Sequence, residues 1–124
     1  MARVFLDTNY FIGLVNRTPE TDTKILDKHE GFVSVLSCHI LFYVNKIKAP
    51  NAEINSYIDE FNLTNLNLDT LKRALEGPTD DLEDNIQLHS AVKEDCEYFV
   101  TSDKKLLKLG YFGKTKLVSS LKPE

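Results

Sequence analysis

The chain predicts an α/β fold: a three-layer α/β/α arrangement with helices on both faces of a central, mostly parallel sheet of four to five strands. Three observations lead there. Apolar runs with strand character recur along the chain, at Arg3 to Leu6, Phe32 to Leu36 and Tyr98 to Thr101. Segments with helical spacing separate them, and strands that alternate with helices pair in parallel. Aspartates stand just past two of the runs, at Asp7 and Asp103, and ligand crevices of open α/β sheets lie just past strand ends.

Taken in order, Arg3 to Leu6 is the first strand, ended by Asp7-Thr8-Asn9. Tyr10 to Val15 continues as an apolar helical turn that Gly13 weakens. Asn16 to Asp22 is polar, contains Pro19 and reads as a loop. Thr23 to His29 is a short helix, with Gly31 placed as its stop. The second strand, Phe32 to Leu36, leads into a helix over Ser37 to Lys46, with Ile40, Leu41, Val44 and Ile47 at helical spacing and Ser37 as N-cap. Asn51 to Phe61 repeats that pattern through Ile54, Tyr57, Ile58 and Phe61. Leu63, Leu66 and Leu68 supply a third strand, a helix runs to Leu75, and Gly77-Pro78 stops it. Asp80 to Asp95 is a helix with Asp80 as N-cap and Glu83 as its capping-box partner. Tyr98 to Thr101 is the fourth strand, Asp103 to Leu109 a helix, and Lys116 to Val118 a last edge strand. No internal repeat or linker interrupts the chain, so residues 1–124 read as one domain.

At 124 residues the chain buries roughly two-thirds of its unfolded surface, enough for a core without staples. Its 42% hydrophobic and 27% charged residues are those of a soluble globular protein. A net charge of −4 argues against a generally basic nucleic-acid binder, while leaving room for a local basic patch. Cys38 and Cys96 have no metal-ligand spacing and read as reduced, buried thiols. The apolar N-terminus is broken by Arg3, Asp7, Thr8 and Asn9, too polar for a secretory signal or a spanning helix. A cytoplasmic location and no membrane association are therefore expected.

Asp7, Asp84 and Asp103 carry the chemistry. If the first and fourth strands are neighbours, their ends bring Asp7 and Asp103 together, and Asp84 lies in the first turn of the helix between them. Three converging carboxylates repel unless a cation neutralises them, and Mg²⁺ or Mn²⁺ prefers such oxygen ligands. Structural readings stand beside this one. Asp7 can cap a turn with Asn9, Asp103 can cap the helix that follows it, and acids at the start of a helix favour its dipole. His39 and His89 read as core or surface residues, and the lysines at 104, 105, 108, 114 and 116 read as a solvated face that can also hold phosphates.

The segments VFLDTN, FVSVLSCHILFYV and DLEDNIQLHSAVKEDCEYFVTSDKKLL together resemble the PIN-domain family, from Arg3 to about Val118. The similarity is greatest to a bacterial branch, VapC-like or PilT-N-terminus-like, whose third acidic motif reads D-x-E-D-x-x-Q. It implies a small α/β nuclease: a Mg²⁺- or Mn²⁺-dependent endoribonuclease acting on RNA and, as for many members, the toxin of a toxin–antitoxin pair, with an antitoxin partner and a homodimer. By position Asp7, Asp84 and Asp103 match the family's catalytic and metal-binding acids. Asn9, Thr101 and Lys104 fall where substrate would be met. In one departure, the family's glutamate in the helix after the second strand aligns with Ile40, beside His39, and no acid lies between Gly31 and Ala49. Asp81, one helical turn before Asp84, is the expected substitute ligand, with Glu83 kept for capping. The alternative is a catalytically eroded module that binds RNA or a protein partner. A haloacid-dehalogenase-like phosphotransferase needs a second aspartate where Asn9 stands, a receiver-like domain fits poorly, and a dinucleotide binder needs a glycine-rich turn that is absent.

Overall fold

The computed structural model describes residues 1–19, 21 and 24–121, and thirteen short elements follow one another among these described residues. They are β1 (Arg3–Leu6), α1 (Thr8–Asn16), α2 (Ile25–Lys28), β2 (Glu30–Ser34), α3 (Val35–Val44), α4 (Ala52–Ile58), β3 (Asn62–Thr64), α5 (Leu68–Leu75), α6 (Leu82–Lys93), β4 (Tyr98–Val100), α7 (Lys104–Leu107), β5 (Tyr111–Phe112) and β6 (Thr115–Val118). The expected start of the second helix at Thr23 lies outside the described residues, as do Glu20 and Asp22 of the preceding loop. Among the described residues no helix is long and apolar enough to cross a membrane.

The sheet has six strands in the order β3-β2-β1-β4-β6-β5, all parallel except the β5–β6 pair. It is therefore mixed α/β and mostly parallel, as expected, but wider than four to five strands. Lys116 to Val118 is not an edge: β5 lies outside it, antiparallel to it. With only two residues, β5 has no periodicity to read.

Alternation along the strands builds the two halves of the core. Val4, Leu6, Val33 and Val100 join Tyr10, Phe11 and Leu14 of α1 and Leu41 of α3 on one face. Phe5, Phe32, Phe99 and Leu117 join Leu88 and Ala91 of α6 and Leu106 of α7 on the other. Because β1 pairs with both β2 and β4, its C-terminal end opens at the centre of the sheet, beside the end of β4.

Two helix starts differ from the sequence expectation. The N-cap of α3 is Ser34, whose hydroxyl accepts from Leu36 N, so β2 ends two residues early and Ser37 sits fully buried inside the helix. Gly31 does not stop α2; it lies in β2, where an added Cβ would fall 2.5 Å from Leu26 Cδ2. Leu26 and Phe61 pack closely over the strand there, so a larger residue would have to displace their side chains.

Candidate metal centre

Asp7 closes β1 and stands at the N-cap of α1, only 5% exposed. Its two oxygens are held separately: Oδ1 accepts from Thr8 N at 2.9 Å, and Oδ2 accepts from the Thr101 hydroxyl at 2.7 Å. Thr101 is fully buried just past β4, and its hydroxyl also accepts from Asp103 N at 3.0 Å. One threonine thus ties the acid after β1 to the residue after β4. Expected to meet substrate, Thr101 instead spends its hydroxyl on these two acids. Asp103 is half-buried and caps α7, its Oδ1 accepting from Lys105 N at 2.8 Å. Asn9 and Lys104 are both exposed, on the first turns of α1 and α7.

The third contribution comes from the start of α6. Its N-cap is Asp81, not Asp80: Asp81 Oδ1 accepts from Asp84 N at 3.0 Å. Glu83 is therefore not a capping partner, and the Asp81 N–H goes to Thr79 Oγ1 at 3.1 Å. Side-chain oxygens of Asp7, Glu83 and Asp84 all lie within 4.8 Å of one another. Asp81 and Asp103 stand outside this trio, yet the charge of each bears on Asp84. Glu83 is the residue that sequence reasoning set aside. Its signal was the Asp80–Asp81 doublet, which offers two caps, and only the second leaves Glu83 free.

Beneath the acids runs a buried polar strut. The hydroxyls of Thr8 and Ser37 are 2.9 Å apart, and Ser37 donates to Gln87 Oε1 at 3.4 Å. It links α1, α3 and α6. Ile40, which aligns with the expected glutamate, is partly buried and packs against the core on the α1–α3 face.

Burial pushes Asp7 up to about 6; the Thr101 and Thr8 hydrogen bonds oppose this, and Glu83 and Asp103 add to it. Asp84 is pushed up to about 7, first by burial and then by Asp81, Asp7, Asp103 and Glu83. Burial leads both shifts, and the neighbouring carboxylates add like-charge repulsion. The donor set fits a hard divalent cation, whose ligands at 2.0–2.6 Å stand up to roughly 4–5 Å apart across the ion. Asp7, Glu83 and Asp84 can hold such an ion.

No protein-family model matches the chain, and no curated protein matches it. Its fold is similar to that of solved structures. A chain from a toxin–antitoxin complex of Klebsiella pneumoniae superposes with a TM-score of 0.71 at 18% identity, over 90% of this chain and 94% of that one. A chain from VapBC2 of Rickettsia felis, bound to a DNA fragment from their promoter, superposes with a TM-score of 0.65 at 13% identity, over 94% and 97% respectively.

Proposed function

We propose that the protein is a PIN-type, divalent-metal-dependent endoribonuclease, the toxin of a toxin–antitoxin pair. The observation that carries this reading is the convergence of Asp7, Glu83 and Asp84 at the end of the central strand, with Asp103 beside them. The similarity of fold to chains from toxin–antitoxin complexes supports it and motivates the antitoxin partner.

Asp7, Glu83 and Asp84 would hold Mg²⁺ or Mn²⁺. When bound, the ion supplies Lewis acidity and neutralises charge at a phosphodiester. The chain's own residues do the rest. Thr101 fixes the Asp7 carboxylate and the Asp103 backbone in one geometry, so two acids are pre-organised before any ligand arrives. Glu83 takes the place of the carboxylate that Ile40 does not provide. Asp103, past the end of β4, adds negative charge beside these acids. Lys104, Lys105 and Lys108 are exposed beside it and can hold an RNA backbone through its phosphates.

Cleavage of end-labelled single-stranded and structured RNA, with Mn²⁺ or with EDTA, tests the reading on wild type and Asp84→Asn purified identically. Metal-dependent cleavage lost in the variant is the expected result. Equal traces in both samples overturn it in favour of a non-catalytic module that binds RNA or protein.

A further inference from the structure

The carboxamide of Asn85, 3% exposed in the first turn of α6, uses its full hydrogen-bonding capacity on one stretch of chain. Its Oδ1 accepts from Thr79 N at 2.9 Å and from Thr79 Oγ1 at 2.6 Å. Its Nδ2 donates to Thr79 O and to Ala74 O, both at 2.9 Å. Both peptide groups of Thr79 are thus paired with one amide, as a neighbouring strand would pair them. The bond to Ala74 O alone would serve only to satisfy the end of α5. The Thr79 bonds go further, because Thr79 Oγ1 in turn accepts from Asp81 N at 3.1 Å.

This arrangement bears on the acids. Asp80 and Asp81 are chemically equivalent caps in adjacent positions. Were Asp80 the cap, Glu83 would occupy the third helical position, where its carboxylate turns back to the cap's own N–H. With Thr79 holding the Asp81 N–H, that N–H is already satisfied and the Asp81 carboxylate takes Asp84 N. Neither Glu83 nor Asp84 is then drawn into capping, and both carboxylates reach Asp7.

We propose that Asn85 and Thr79 are positioning residues: their clamp selects Asp81 as the cap of α6 and thereby presents Glu83 and Asp84 to the Asp7 carboxylate. The clamp matters for function only if these acids hold a divalent cation, so its consequence rests on the reading above, while the clamp itself does not.

Two measurements on the full chain separate the two. Amide hydrogen exchange by NMR in the metal-free protein reads the cap, and calorimetric titration with Mn²⁺ alone reads the acids. Thr79→Val keeps the size and the peptide pairing but removes the hydroxyl. It is expected to speed exchange at the Asp84 amide about ten-fold, to leave the Phe5 and Val33 amides unchanged, and to weaken Mn²⁺ binding about ten-fold, as the loss of an outer-shell support does. Thr79→Ser should restore both. Asn85→Ala should do at least as much as Thr79→Val; if it does not fold, the two Thr79 variants decide the matter. Wild-type exchange at Asp84 in a folded Thr79→Val, or undiminished Mn²⁺ binding, overturns the proposal. Absence of Mn²⁺ binding in the wild type overturns the metal reading instead, and the exchange result then decides the clamp by itself.

Discussion

Asp7 and Asp84 present the same group to the same crevice, but the two are held in different ways. Asp7 is 5% exposed, sits at the end of a strand paired on both sides, and has each oxygen bound to a buried partner. Asp84 is half-exposed, and the site reaches it through a cap, a threonine hydroxyl and one buried carboxamide in the α5–α6 connection. The sheet supplies a stiff floor; the loop supplies a rim whose geometry a few hydrogen bonds decide. The two should therefore respond differently to substitution.

The largest effect is expected from Asp7→Asn, which removes the floor ligand. Mn²⁺-dependent RNA cleavage should fall by more than about 100-fold, beyond what loss of an outer-shell support costs. Without metal the variant should be more stable than wild type at pH 7.5. Raising a buried carboxyl from 3.8 to about 6 corresponds to roughly 3 kcal/mol, partly offset by hydrogen bonds that the amide makes less well. Urea unfolding in EDTA checks this; a less stable variant would mean that the hydrogen bonds to the carboxylate outweigh the cost of burying it.

The pH dependence comes next. Asp7 and Asp84 both sit above their ordinary value in the folded chain, at about 6 and about 7. Between about pH 4 and 7 the folded state therefore holds more protons than the unfolded state, and metal-free stability falls as pH rises through that window. The Asp7 share is the roughly 3 kcal/mol above. Thermal melts across pH in EDTA should show the decline, and saturating Mn²⁺ should flatten it. A flat metal-free profile would mean that the acids are not crowded.

The smallest effect belongs to the rim. Glu83→Gln should weaken Mn²⁺ binding at least about ten-fold, no less than loss of an outer-shell support costs, and leave metal-free unfolding nearly unchanged because Glu83 is partly exposed. A loss as large as that of Asp7→Asn would erase the distinction between floor and rim.

The floor was legible in the sequence. A buried parallel strand is a continuous apolar run, and an aspartate after it can only lie at the sheet's end. Asp7 and Asp103 therefore fell where expected, and Thr101, two residues before Asp103, fell beside them. The rim was not legible. Asp80 and Asp81 have the same capping chemistry one position apart, and no local rule prefers either. At α3 the expected cap, Ser37, also gave way to another residue. There the cap fell on Ser34, and Ser37 went inward to meet Thr8, 29 residues earlier in the chain, and Gln87, 50 residues later.

The first, second and fourth strands, the alternation of strands and helices and the mostly parallel sheet were thus determined by the sequence alone, because each depends on the local order of apolar residues. The third strand is instead Asn62–Thr64, and Leu68, expected on it, begins α5. The convergence of Glu83 with Asp7 and Asp84, the clamp of Asn85 on Thr79 and the added strand β5 were decided only by the tertiary structure. Each depends on a buried donor or acceptor finding its partner, or on a pairing that forms once the neighbouring strand is in place, and such choices are degenerate until the chain is packed.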